Sequence, residues 1–208
     1  MRKLLAFAAA VLLSACGADA PKFRGTDITG ADFGKELALN GHDGRPRTLA
    51  DFRGKAVVLF FGYTHCPDIC PTTLVDVAGA LKTLGNESAQ VQVLFVTLDP
   101  ERDTPEVLSK YVPAFNPGFL GLSGDEAATQ RAAKEFKIFY EKRPGSAPGA
   151  YTVDHSGQSY VIDPQGRLRL FVRQERIAQD LAEDLRTLLA EKIQAEKIQA
   201  EKTPAEKR

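Results

Sequence analysis

The pattern of hydrophobic and polar positions predicts strands and helices that alternate along most of the chain. Two apolar runs, at 55–61 and 91–98, are typical of central strands that are covered on both faces. Between them, four apolar residues recur at helical spacing: Leu74, Val77, Ala78 and Leu81. This spacing predicts an amphipathic helix that ends near Gly85. The three segments together predict a β-α-β unit.

Three further helices are predicted after this unit. The first has Thr104 as its cap and Pro105 at its first position, and it runs to about Val112. The second begins at Asp125. The last spans 176–189, because its leucine and isoleucine side chains fall on one face, and it closes the domain.

Short apolar segments predict the remaining strands. Four of them form two hairpins, one at the edge of the domain and one before the last helix: 33–40 with 47–49, and 159–162 with 168–172. A short strand is predicted at 138–140, a loop at 116–124 and a flexible connection at 143–150. The order of elements predicts an α/β, thioredoxin-like fold whose mixed central sheet is flanked by helices and whose active loop follows the first central strand.

The N-terminal segment predicts export. Arg2 and Lys3 precede an apolar run at 4–13, which is shorter than the roughly 20 residues that a membrane helix needs. We therefore expect a signal peptide over 1–15. The sequence Leu-Ser-Ala-Cys that ends at Cys16 resembles the bacterial lipobox, in which the cysteine is lipidated and becomes the new N-terminus. An ordinary signal peptide followed by an unmodified cysteine is the alternative.

The chain is expected to hold one folded domain, at 31–190. Residues 16–30 are small and polar and predict a lipidated N-terminus with a linker. Residues 191–208 contain an AEKIQ repeat, whose five-residue period places its isoleucines about 140° apart on a helix. Without a continuous apolar stripe, this charged tail is expected to be solvated, and an interaction module is the alternative.

Composition narrows the class of protein. The chain has 27 Lys and Arg and 27 Asp and Glu, so its formal net charge is zero. A nucleic-acid partner would need a basic face and is not expected. The balance of residue types suits a soluble α/β domain, which we expect to be a monomer.

The loop after the first central strand carries the candidate chemistry. If Cys16 bears a lipid, Cys66 and Cys70 are the remaining cysteines in an exported chain. A thiol at the start of a helix is favoured as thiolate by the helix dipole. Such a pair can form a disulfide, hold a soft metal, or alternate between these states.

The spacing of the cysteines bears on this choice. Three residues separate them, whereas disulfide oxidoreductases of this fold usually have two, and the wider loop allows both sulfurs to hold one soft ion. An imidazole would complete a trigonal site, and His155 is the candidate. Two sulfurs and one nitrogen suit Cu(I) and admit Cu(II), whereas zinc normally takes four ligands. From the residues alone, a structural disulfide and a loop histidine without metal remain alternatives.

Three motifs resemble those of the Sco/SenC family and occur in the family's order. They are FGYTHCPDICP at 61–71, DPERDTPE at 99–106 and VDHS at 153–156. The resemblance covers roughly 32–189, which is nearly the whole predicted domain. Three motifs in order are far more specific than any one of them.

The resemblance implies a thioredoxin fold and copper bound by Cys66, Cys70 and His155. It also implies a role in assembling the binuclear copper centre of cytochrome c oxidase, as copper donor, as reductant of the receiving cysteines, or both. The partner would be the copper-receiving subunit of the oxidase. The location would be the bacterial cell envelope, at the inner membrane facing the periplasm, although many members use a transmembrane helix where this chain has Cys16.

Other polar residues near these motifs have two interpretations each. His65 is an alternative ligand or lies beside the metal. Asp68 caps the helix or tunes the copper electrostatically, and capping is favoured. Asp99, Arg102 and Asp103 either tie down a loop or shape the site and its partner surface.

Two enzymatic hypotheses compete with the copper chaperone. A thiol-disulfide oxidoreductase would use Cys66 and Cys70 as a redox-active pair on a partner's cysteines. A peroxidase of the same fold would need a lone peroxidatic cysteine with an activating arginine, and the pair fits that chemistry poorly.

Overall fold

The fold is built on ten strands, which we describe from a computed structural model covering residues 22–202. In chain order they are β1 (Thr26–Asp27), β2 (Ala38–Gly41), β3 (Pro46–Thr48), β4 (Ala56–Gly62), β5 (Val91–Thr97), β6 (Leu120–Ser123), β7 (Tyr140–Pro144), β8 (Tyr151–His155), β9 (Ser159–Ile162) and β10 (Leu168–Val172). Eight of them form one mixed sheet in the order β1-β10-β9-β4-β5-β6-β2-β3, and β7 pairs with β8 separately. The predicted signal peptide and Cys16 lie outside the described residues.

Four helices flank the sheet. They are α1 (Ile69–Leu84), α2 (Pro105–Tyr111), α3 (Glu126–Glu135) and α4 (Ile177–Lys202). The predicted starts of α2 and α3 are confirmed, because Thr104 accepts a hydrogen bond from the Val107 N–H at 3.4 Å and Asp125 accepts one from the Ala128 N–H at 2.7 Å.

The strand β4 lies at the centre of the core. All seven of its residues are buried, as expected of a strand with neighbours on both sides and helices over the sheet. It pairs in parallel with β5 and antiparallel with β9. Because β4 and β5 are parallel, both end at the same edge of the sheet, at Gly62 and Thr97. We call this the carboxyl edge.

The loop predicted at 116–124 contains a strand. Within it, β6 pairs in parallel with β5 and antiparallel with β2, so it links the central strands to the N-terminal hairpin. The segment is short and contains Gly121, which weakens its strand pattern. A Cβ at Gly121 would lie 3.1 Å from the Leu108 Cβ, so glycine allows α2 to pack closely on this strand.

The connection predicted to be flexible at 143–150 lies within a β-hairpin, and its first two residues belong to the first strand of that hairpin. β7 and β8 pair antiparallel from Tyr140 with His155 to Pro144 with Tyr151. His155 therefore lies at the end of a strand, not in a loop as predicted. Most side chains of both strands are exposed, so the segment lacks the apolar alternation by which strands are recognised in a sequence.

The predicted linker at 16–30 is attached to the domain over its last residues. β1 pairs with β10, and the backbone N–H groups of Arg24 and Gly25 donate to the buried Asp184 carboxylate at 2.7 and 2.9 Å. A two-residue strand carries no periodicity of its own, which is why the sequence pattern does not reveal it.

The last helix extends beyond the end predicted at 189. Glu191 accepts hydrogen bonds from the buried Arg169 guanidinium at 2.7 and 3.1 Å, and the Lys192 ammonium donates to the Gly54 carbonyl at 2.9 Å. The first residues of the predicted tail thus contact the domain. Within residues 22–202, none of the helices is both long enough and apolar enough to cross a membrane.

Candidate metal centre

Three side chains from distant parts of the sequence meet at the carboxyl edge. Cys66 follows β4 in the connecting loop, Cys70 lies in the first turn of α1, and His155 ends β8. Their ligand atoms all lie within 4.8 Å of one another, and within the part of the chain that the structure describes this is the one such group that could hold a metal ion. Cys70 is fully buried, whereas Cys66 and His155 are half-buried.

Gly62 leaves room for the Cys70 sulfur. A Cβ at this position would lie 2.7 Å from Cys70 Sγ and 3.0 Å from ring carbons of both Phe60 and Phe95. Real Cβ atoms essentially never come closer than 3.0 Å to another heavy atom, so the contact with the sulfur alone would force a shift. The last residue of β4 must therefore be glycine for Cys70 to occupy its place under the loop.

The two thiols are free and differ in acidity. The hydrogen bond from the Cys70 thiol, together with His155 and the backbone N–H groups of Asp68 and Cys70, outweighs burial and lowers the pKa of Cys66 to about 4. The same hydrogen bond and burial raise the pKa of Cys70. At neutral pH the metal-free site thus pairs a thiolate at Cys66 with a thiol at Cys70.

The His155 imidazole is oriented towards the cysteines. Its Nε2 lies 3.3 Å from Cys70 Sγ, and its Nδ1 lies 2.9 Å from the Ser156 carbonyl oxygen. Because a carbonyl oxygen only accepts hydrogen bonds, this contact places a proton on Nδ1. A neutral ring with that proton has its Nε2 lone pair available to bind a metal. The ring also meets Phe60 and Tyr63 edge-on, with centroids 6.2 and 5.9 Å apart.

Asp103 holds the loop that carries the cysteines. Its buried carboxylate accepts from the Thr64 N–H at 3.0 Å, the Thr64 hydroxyl at 2.5 Å and the Thr97 hydroxyl at 2.6 Å. These bonds join the start of the loop to the end of β5. Of the two interpretations of Asp103 from the sequence, the structure therefore supports the one in which it ties down a loop.

Asp99 and Arg102 hold the strand that carries His155. They form an ion pair with each other and both contact Tyr151, the first residue of β8. The Asp99 side chain is fully buried, and that of Arg102 is 24% exposed. They too tie down a segment, but the segment is the hairpin that carries His155.

Two other residues singled out in the sequence lie outside the cysteine and histidine group. The His65 ring is more than half exposed, and its Nδ1 lies 3.1 Å from the Thr64 hydroxyl and 3.9 Å from Asp103 Oδ1. Asp68 occupies the N-cap position of α1, but its side chain makes no capping hydrogen bond, so the favoured prediction of capping is wrong. Its backbone carbonyl accepts from Thr72 instead.

Two residues that the sequence did not single out contribute to the site. Gly62 carries a weak signal, because it ends a strand otherwise composed of large apolar residues. Tyr151 precedes His155 by four positions, which places both on one face of a strand. That signal becomes visible only once the segment is known to be a strand.

The fold and the site define a thioredoxin-like domain with a Cys-Cys-His group at the carboxyl edge of its sheet. A family model described as SCO1/SenC matches residues 25–190, and the chain belongs to this family. The family and the thioredoxin-like fold expected from the sequence are thereby confirmed.

Solved structures and a curated relative show the extent of the similarity. The chain is 35% identical to ScoI of Bradyrhizobium japonicum with copper bound, covering 75% of this chain and 99% of that one, with a TM-score of 0.69. It is 41% identical to apo Sco1 of Thermus thermophilus, with 82% and 99% covered and a TM-score of 0.73. It is 37% identical over 157 residues to the human mitochondrial SCO2 homolog, covering 74% of this chain but 59% of that protein.

Proposed function

We propose that this chain binds copper through Cys66, Cys70 and His155. The observation that carries the proposal is the convergence of two sulfurs and one imidazole nitrogen within 4.8 Å. Thiolates are soft ligands that select Cu(I), and three donors suit it, whereas zinc normally requires a fourth. The copper-bound relative from Bradyrhizobium japonicum, at 35% identity, supports copper over other soft metals.

Copper is here a cargo that the protein receives and passes on. Family membership supports a role in assembling the copper centre of cytochrome c oxidase, with the copper-receiving subunit of the oxidase as partner. A lipid at Cys16 would hold the domain at the inner membrane of a bacterial cell envelope, facing the periplasm. The half-exposed position of Cys66 and His155 suits transfer, since an acceptor's thiols could approach the metal from solvent.

The test is copper stoichiometry on the reduced protein. We expect about one Cu(I) per chain in competition with a Cu(I) chelator. His155→Ala should lose tight binding although both thiols remain, because two sulfurs alone leave the site one donor short. The matched control is His65→Ala, which should bind as wild type. Tight copper that survives His155→Ala would overturn the ligand assignment.

A second candidate function is reduction of a partner's disulfide, which the lowered pKa of Cys66 favours. The Cys66 thiolate would attack the disulfide, form a mixed disulfide and release one partner thiolate. Cys70 would then lose its proton and attack the Cys66 sulfur, closing a Cys66–Cys70 disulfide and releasing the second partner thiolate. The partner gains the two electrons that the pair loses.

Variants of Cys70 and His155 distinguish the two candidate functions. Cys70→Ser should trap a mixed disulfide between Cys66 and a disulfide-bonded partner, detected on a non-reducing gel. His155→Ala should keep disulfide reduction, because the larger contribution to the lowered pKa of Cys66 comes from Cys70, whereas the same variant should lose tight copper. Absence of the trapped species rejects the reductase role, whatever the copper measurement gives.

A further inference from the structure

The β7–β8 hairpin packs on the domain through side-chain contacts and not through strand pairing with the main sheet. It forms its own two-stranded sheet and shares no ladder with the eight-stranded one. In β8 the side chains at 152 and 154 are exposed, whereas Tyr151, Val153 and His155 are half-buried or buried. Alternate residues of a strand share one face, so these three side chains form the face that lies on the domain.

Tyr151 is held through its backbone carbonyl, its hydroxyl and its aromatic ring. Its carbonyl accepts from Arg102 Nη1 at 3.0 Å, and its hydroxyl donates to Asp99 Oδ1 at 2.7 Å. The Arg102 guanidinium also stacks on the Tyr151 ring, 3.6 Å from its centroid, within the range of a strong cation–π contact. We call Asp99, Arg102 and Tyr151 the hairpin clamp.

Two residues of the clamp, Asp99 and Arg102, belong to the domain and not to the hairpin. Asp99 and Arg102 follow β5 at the carboxyl edge, and the Asp99 N–H donates to the buried Thr97 hydroxyl at 2.9 Å. Arg102 also lies 5.8 Å from the ring centroid of Tyr63, which in turn meets the His155 ring edge-on. The clamp therefore joins the strand that carries His155 to the end of a central strand.

The direction of the His155 side chain depends on which face of β8 lies on the domain. A shift of one residue in a strand turns every side chain to the opposite face. Tyr151 in the clamp and Val153, 3% exposed, fix this choice, and His155 then points at Cys70. Without the clamp, the buried Val153 and the edge-on contacts of the His155 ring with Phe60 and Tyr63 would be the remaining side-chain contacts that define the face.

We propose that Asp99 and Arg102 are positioning residues, which act through Tyr151 to hold His155 in place for the metal. The inference rests on the proposed copper site. It deepens that proposal, because it assigns to the DPERD segment a role in the histidine half of the site. The cysteine half has its own support in Asp103.

The first test is a double-mutant cycle in Cu(I) affinity, measured by chelator competition on the reduced full chain. Arg102→Ala should lower the affinity about tenfold or more, as expected for loss of a residue that orients a ligand. In the His155→Ala background, the same substitution should have no further effect, because the histidine through which it acts is absent. Equal losses in both backgrounds, or none in wild type, would overturn the proposal.

Lys142→Ala is the matched control. Lys142 forms an ion pair between the hairpin and the domain, with Glu101 at 2.8 Å, and its ammonium lies 5.0 Å from the Tyr151 ring centroid, but both paired side chains are largely exposed. Exposed pairs of this kind contribute little. Copper affinity should therefore stay as in wild type. A loss equal to that of Arg102→Ala would show that any hairpin contact suffices, and would contradict a specific role for the clamp.

The second test uses the metal-free protein and separates this inference from the copper proposal. Arg102→Ala should speed hydrogen exchange of the β7–β8 amides while exchange in β4 stays slow. If Arg102→Ala unfolds the chain, Tyr151→Phe replaces it, since this variant removes only the hydroxyl, which donates to Asp99 at 2.7 Å and to Glu101 at 3.4 Å. Unchanged exchange in the hairpin would refute the clamp even if copper binds as proposed. If His155→Ala has no effect on copper, the ligand assignment fails, and the exchange data still decide on the clamp.

Discussion

At the residue scale, the site depends on the absence of a side chain at Gly62. The glycine ends a strand that is buried at every position, and it faces a sulfur and two aromatic rings. Its role is steric, since it provides the space that the Cys70 thiol occupies. The site therefore requires glycine at this position, although glycine has no side chain that could contact a metal.

Gly62→Ala should therefore destabilise the protein and weaken copper binding. The added Cβ would meet Cys70 Sγ at 2.7 Å in a fully packed region, which predicts a loss of about 1–3 kcal/mol in the free energy of unfolding. Urea unfolding followed by circular dichroism measures it. Cu(I) affinity should fall as well, because relief of the contact displaces a ligand.

The control for this prediction is Gly79→Ala on α1. A Cβ there would meet nothing within 4 Å, and alanine is favoured over glycine inside a helix by about 0.5–1 kcal/mol. This variant should be as stable as wild type or more so, with unchanged copper affinity. If both variants behave alike, the space beside Cys70 has no special role.

At the element scale, the ion-pair cluster around Arg169 shows that the last helix contributes to the fold beyond its predicted end. The buried guanidinium donates to Thr29, Asp163 and Glu191, and so joins the N-terminal segment, the β9–β10 turn and α4. Removing a partner of a buried charge leaves that charge poorly compensated. The helix is therefore needed at least as far as Glu191.

Two truncations test this boundary. A chain that ends at Ala190 should lose about 1–3 kcal/mol in the free energy of unfolding relative to one that ends at Gln194, because only the longer chain keeps Glu191 and the exposed contact of Lys192 with the Gly54 carbonyl. Chemical denaturation of both chains measures the difference, and Glu191→Ala in the full chain should reproduce most of it. Equal stability of the two truncated chains would place the boundary at 190, as the sequence suggested.

The elements that the sequence predicts are those with a strong pattern. The apolar runs of β4 and β5, the caps of α2 and α3 and the hairpin of β9 and β10 are all predictable, because burial and capping leave periodic signals. The hairpin of β7 and β8 is not, since most of its side chains are exposed and only one face of β8, through Tyr151, Val153 and His155, is turned to the domain. β1 is too short to show a pattern.

The candidate site was predictable in its ligands but not in its supports. Cys66, Cys70 and His155 stand in motifs that resemble a family, and the structure brings them together. The contacts that hold them, from Asp103 to Thr64 and from Asp99 to Tyr151, join residues 39 and 52 positions apart. Sequence spacing carries no information about such pairs, which depend on the parallel arrangement of β4 and β5.

At the scale of the whole molecule, the N-terminal segment and the candidate metal centre lie at the same edge of the sheet. β10 runs in the direction of β4, and β1 is antiparallel to it with Thr26 opposite Phe171. The chain therefore reaches β1 from the carboxyl edge. β1 is three strand positions from β4, a lateral distance of about 14 Å.

This arrangement predicts how an anchored domain is oriented. With a lipid at Cys16, the backbone from there to Arg24 spans at most about 28 Å. In vesicles that carry a paramagnetic headgroup lipid, amides at the carboxyl edge, such as Thr64 and Gly157, should relax faster than those at the opposite edge, such as Gly54. Unlipidated Cys16→Ser protein serves as the baseline. Equal or reversed relaxation would contradict the orientation.

The short pairing of β1 with β10 thus has a consequence beyond the stability of the sheet. It fixes the point and direction at which the chain leaves the domain, so that a membrane anchor upstream of β1 would be attached at the carboxyl edge of the sheet. The cysteines and the histidine would then face the bilayer, within reach of an acceptor site that projects only a short distance above it. Release of β1 from β10 would lengthen the segment between the anchor and the domain. The domain could then rotate so that the site faces away from the bilayer.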